Sequence, residues 1–105
     1  MKTELYFADI VQQLHDAKRT GALYIRILET SEDLYRIFFD NGNICQIRYG
    51  SAVGRDCLDI IEYYNLVAAT FFDGIKVPDC AATDLPDTEQ IISTFRCFNK
   101  KVTMQ

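Results

Sequence analysis

The apolar spacing along the chain changes period several times. Phe7, Ile10, Val11 and Leu14 recur three and four positions apart, the spacing of one helix face. They predict a helix from about Leu5 to Lys18, with Asp9, Gln12, Gln13 and Asp16 off the stripe. Lys18 and Arg19 suit the negative end of its dipole, and Gly21 is the expected left-handed terminator. From Ala22 to Glu29 the period drops to two. Leu23, Ile25 and Ile27 point one way, while Tyr24, Arg26 and Leu28 point the other. That alternation predicts a strand. Thr30-Ser31-Glu32-Asp33 is a turn, Leu34 to Phe39 a second strand and Ile44 to Tyr49 a third.

Asp40-Asn41-Gly42-Asn43 between the last two strands is a strong hairpin signal. A two-residue turn at Asn41-Gly42 would pair Phe39 with Ile44 and mix polar with apolar residues on each face. A three-residue loop with Gly42 left-handed pairs Phe39 with Asn43. Tyr35, Ile37, Phe39, Cys45, Ile47 and Tyr49 then share one face, and Arg36, Phe38, Ile44, Gln46 and Arg48 the other. The second register separates polarity better and is the one expected.

Gly50 and Gly54 bracket a tight loop. A helix follows from about Arg55 to Tyr64, with Leu58, Ile61 and Tyr64 inward and Asp56, Asp59, Glu62 and Tyr63 more exposed; Asn65 ends it. Ala68 to Asp73 is a short fourth strand, and Ile75 to Leu85, with two prolines, a loop. Pro86-Asp87-Thr88-Glu89-Gln90 opens the last helix, with Asp87 as cap and Gln90 completing a capping box. Ile91, Phe95 and Phe98 form its stripe, and 99–105 reads as a frayed tail. The expected fold is a single α+β domain over 1–105, ordered α-β-β-β-α-β-α, an antiparallel meander of three to four strands packed with helices.

Composition narrows the function classes. With 105 residues the chain can bury one core without a metal or disulfides. A net charge of -4 argues against wholesale nucleic-acid binding, though not against a local basic patch. No apolar run approaches the roughly 20 residues of a membrane span, and the N-terminal residues are broken by acids, unlike a signal peptide. A cytoplasmic location is expected. Cys45, Cys57, Cys80 and Cys97 are far apart, without a Cys-x-x-Cys pair or a nearby histidine, so zinc is not expected. Cys45, Cys57 and Cys97 read as buried free thiols.

Catalytic chemistry finds little support. His15 is the one histidine and borders the first apolar stripe, with no nucleophile or acid placed beside it by sequence. Asp56, Asp59 and Glu62 recur on one side of a helix, as a solvated face does. Gly50-Ser51-Ala52-Val53-Gly54 lacks the endings and spacings of phosphate loops, and Asp56 would repel a phosphate there. Neither a catalytic group nor a metal or cofactor is expected. The outer sheet face is the better candidate. Tyr24, Arg26, Arg36, Phe38, Ile44 and Arg48, with Leu28 and Gln46, would lie together there. Arginine among aromatics without acids is the mixture enriched at protein interfaces. Cover by the last helix or the proline loop is the competing reading, and single-stranded nucleic acid stacking on Tyr24 and Phe38 a lesser one.

Short motifs fall in a familiar order: Gly21-Ala22-Leu23, Phe39-Asp40-Asn41-Gly42-Asn43-Ile44, Tyr49-Gly50, Gly54-Arg55-Asp56-Cys57-Leu58, Phe71-Phe72-Asp73-Gly74 and Leu85-Pro86-Asp87-Thr88. Their order resembles the PATAN domain family of bacterial signalling proteins, over about Leu5 to Phe98. Cys57 stands where that family usually has alanine. The resemblance implies a non-catalytic adaptor or sensor that contacts partner proteins. Those partners would be a response regulator, a motility or pilus component, or a second copy of the chain. The chain has no room for a receiver domain, so a free-standing module or an excised fragment is expected. The expected function is a protein-interaction module in bacterial signal transduction; a small-ligand-binding sensor is the alternative.

Overall fold

The computed structural model describes residues 3–30, 33–75 and 84–104. Seven strands form one mixed sheet: β1 (Thr3–Tyr6), β2 (Gly21–Ile27), β3 (Leu34–Asp40), β4 (Asn43–Tyr49), β5 (Ala52–Val53), β6 (Leu66–Asp73) and β7 (Lys101–Met104). Their spatial order is β1-β7-β6-β2-β3-β4-β5. All neighbours are antiparallel except β6 and β7. Parallel neighbours need a crossover, and a helix supplies it here. The helices are α1 (Phe7–Asp16), α2 (Ile60–Tyr63) and α3 (Thr88–Phe98), with a 3-10 helix at Gly54–Cys57. The α+β class expected from the sequence is the one found.

The buried residues of the helices join one core with Leu23, Ile25 and Ile27 of β2, Tyr35, Ile37 and Phe39 of β3, and Ile47 of β4. The helices therefore share one face of the sheet. Phe7 of α1 and Phe95 of α3 stack at 4.7 Å, both fully buried. Tyr35 is buried in the same core, and its hydroxyl donates to the Cys57 carbonyl at 2.8 Å.

The β3–β4 hairpin corrects the expected register. Phe39 pairs with Ile44, not Asn43. Asn41 and Gly42 both have positive φ, 52° and 86°, as a two-residue hairpin turn of matching twist requires. A side chain on Gly42 would meet the His15 carbonyl at 2.5 Å, because the turn packs on the end of α1. One bulge then restores the polarity that a two-residue turn alone would spoil. The register shifts between Phe38 and Phe39, so Cys45 is the extra residue of the bulge and Phe38 faces Gln46. Beyond the bulge Ile37 faces Ile47 and Tyr35 faces Tyr49, the face division argued from the sequence. Before it, Ile44 falls on the core side.

The cysteines differ from expectation. Cys57 is a buried free thiol, but Cys97 is exposed and Cys45 is disulfide-bonded. Cys97 lies two residues past Phe95 on α3, nearly opposite the apolar stripe. With Cys45 in a disulfide, the cysteines no longer speak for a reducing compartment.

Other elements move at their ends. Tyr6 is extended, so α1 begins at Phe7 and leaves Thr3–Tyr6 to the sheet. Lys18, with φ 53°, takes the left-handed position after α1 in place of Gly21, which opens β2. The expected helix 55–64 is a 3-10 helix and a short α2. Asp87 is the cap residue of α3 but makes no side-chain cap bond, so no capping box forms. The expected frayed tail is β7, with Val102 buried between β1 and β6. Most of the proline loop lies outside the described residues. No helix among the described residues is long and apolar enough to cross a membrane.

Candidate functional site: the outer face of the sheet

On the face away from the helices, cross-strand pairing sets three rows of side chains. Phe72, Ala22, Phe38 and Gln46 form the first. Thr70, Tyr24, Arg36, Arg48 and Val53 form the second. Ala68, Arg26 and Leu34 form the third. Neighbours within a row are separated by one strand spacing, about 4.8 Å.

The structure brings Tyr24, Arg26, Arg36 and Arg48 together as expected. Phe38 shares their face but is only 8% exposed, so it offers little surface. Ile44 does not belong to it. The bulge at Cys45 places Ile44 in the core, where its amide donates to Thr88 Oγ1 at 2.9 Å. Leu34, Val53 and Phe72 were missed, and all three are exposed. The alternation of β6 held a signal for Phe72. Its use required knowing that β6 pairs with β2, which no local pattern reveals.

Tyr24 and Phe72 stack with ring centroids 5.0 Å apart. With Arg26, Leu34, Ala68 and Thr70 they line a shallow groove of about 190 Å³. Ligand pockets usually run about 300–1,000 Å³, so this groove fits one side chain rather than a whole small molecule.

The charges on this face are unbalanced. Arg36 and Arg48 stand directly opposite each other. Arg36 is half-buried, and its Nε is buried without a hydrogen-bond partner. Among the described residues no ion pair engages Arg26, Arg36 or Arg48, whereas Arg19, Arg96 and Lys101 pair with Asp73, Asp9 and Glu4. Like charges directly opposite across strands are destabilising. Nothing within the described chain offsets them.

Comparison with family models, curated proteins and solved structures gives no match.

The other candidates have local explanations. His15 Nδ1 donates to the Gly42 carbonyl at 2.8 Å and ties α1 to the hairpin. The Arg55 amide, which a phosphate at this turn would need, donates to Asp84 Oδ1 at 3.0 Å. Asp56, Asp59 and Glu62 are exposed. Among the described residues no cluster of three His, Cys, Asp or Glu could hold a metal ion. A cleft of about 380 Å³ lies between α1 and the sheet, floored by Leu14, Phe71 and Met104. Its cation, Arg19, is already stacked 5.0 Å from the Phe71 ring centroid and paired with Asp73 at 3.2 Å. Burial drives the Cys57 thiol up to about 11, which leaves it protonated and poorly nucleophilic at neutral pH.

Proposed function

We propose that the chain is a non-enzymatic protein-interaction module whose contact surface is the outer sheet face. One observation carries this: three arginines that no carboxylate pairs among the described residues stand among half-buried Tyr24 and exposed Leu34, Val53 and Phe72 on a face the helices leave open. Arginine and tyrosine are typical anchors of protein interfaces, and an acidic protein surface would complete the charges. A protein suits the face better than a nucleic acid does. The chain carries a net charge of -4, its exposed aliphatic groups do not stack on bases, and Tyr24 and Phe72 stack on each other. The small-ligand alternative is weaker for the cleft between α1 and the sheet, because its cation, Arg19, is already paired with Asp73. The bacterial signalling setting, a cytoplasmic location and a response-regulator or motility partner belong to this proposal. They rest on the resemblance to the PATAN family.

The test is co-purification from the source cells with the wild-type chain and with Arg36→Glu/Arg48→Glu. The reading expects the double variant to fold and to lose specific partners, a second copy of the chain included. Identical partner sets for both chains would refute it.

A further inference from the structure

The arginine face has a complement on the same chain. Asp56, Asp59 and Glu62 are exposed, and no ion pair engages them among the described residues. Beside Glu62 stands Tyr63, 74% exposed, the most open of the large apolar side chains described. An acidic segment carrying a protruding aromatic ring is the counterpart of an arginine face with a one-side-chain groove.

These two surfaces cannot meet within one copy. The acidic segment belongs to the 3-10 helix and α2, whose buried residues join the core on the helical side of the sheet. Tyr64 packs near Tyr49, with ring centroids 6.2 Å apart, on that same side. The arginines stand on the opposite side. A second copy can bring the two together.

We propose that the outer face of one copy binds the acidic 56–63 segment of another, with Tyr63 entering the groove of Tyr24, Leu34 and Phe72 and Asp59 and Glu62 meeting Arg36 and Arg48. This rests on the interaction reading above and names the occupant. Face and segment are different surfaces, so the contact is head-to-tail and builds rings or open chains of copies. The contact is electrostatic at its centre and weakens as salt rises.

Sedimentation velocity of the full chain tests this at low and high salt over a range of concentrations. Wild type is expected to associate, and more strongly at low salt. Arg36→Glu/Arg48→Glu and Asp59→Lys/Glu62→Lys should each weaken association at least about tenfold. All four substitutions in one chain should restore it, because face and segment have then exchanged signs. Tyr63→Ser, which leaves every charge in place, should also weaken it. Far-ultraviolet circular dichroism confirms that each variant is folded. A wild type that stays monomeric at low salt overturns the proposal, as does a quadruple variant that folds but does not reassociate. Loss through the face variant alone would overturn the self-contact and leave the face as a binding surface. Association untouched by either pair would count against the face as well.

Discussion

Arg36 and Arg48 face each other directly across β3 and β4, with no carboxylate paired to either among the described residues. Such a pair is a cost to the isolated fold. It becomes an asset once an acidic surface covers it, because two guanidinium groups one strand apart can bind two carboxylates at once.

Stability and binding should therefore respond in opposite directions to Arg48→Glu. The change turns a repulsive cross-strand pair into an attractive one and should stabilise the chain by about 0.5 kcal/mol. Urea denaturation measures this. A midpoint below that of wild type would show that the two arginines do not repel in the free chain.

Gly54 has φ 69°, and a side chain there would come within 2.7 Å of Asp84 Oδ1. That carboxylate accepts the Arg55 amide, so it is not free to withdraw without loss. Gly54→Ala should cost about 1 kcal/mol or more. An unchanged melting temperature would contradict the positive φ and the close approach together.

Val102 is 1% exposed in β7, between β1 and β6. Val102→Ala should cost about 2 kcal/mol through lost burial and a residual cavity. A frayed terminus would show no change in thermal unfolding.

Alkaline pH offers a separate check on the core. Burial raises the Cys57 thiol from 9.0 to about 11, and burial also raises the Tyr35 hydroxyl well above 10.0. Each group loses its proton more easily in the unfolded chain. The stability they contribute is therefore full below about pH 9 and declines as pH rises towards 11 for Cys57 and further for Tyr35. Cys57→Ala should flatten the fall in denaturation midpoint between pH 9 and 11 relative to wild type. An equal slope in both proteins would place the thiol in contact with water.

The sequence showed β2, β3, β4, α1 and α3 because each carries enough period-two or period-3.6 positions to stand out. Thr3–Tyr6 and Lys101–Met104 are too short for that. Each becomes a strand only by pairing with the other, from opposite ends of the chain. The hairpin shows a subtler limit. Polarity correctly divided the faces of β3 and β4 beyond Phe38, but many registers share that division. The turn chemistry of Asn41-Gly42 demanded two residues, and a bulge at Cys45 reconciled both signals. The bulge is what turns Ile44 to the core face. Three arginines and Tyr24 of the site were legible because they sit in regular alternation on β2, β3 and β4. Phe72 was not, because only the β2–β6 pairing brings it to Tyr24.

Hydroxyl-radical footprinting tests the contact face whatever its partner is. The chain would be labelled in its source cells and again as purified, dilute protein at high salt. A contact through the outer face predicts that Tyr24, Leu34 and Phe72 are oxidised markedly less in cells, while exposed Tyr6, at the far edge of the sheet, is labelled equally in both. Equal oxidation of Tyr24, Leu34 and Phe72 in the two settings would contradict it.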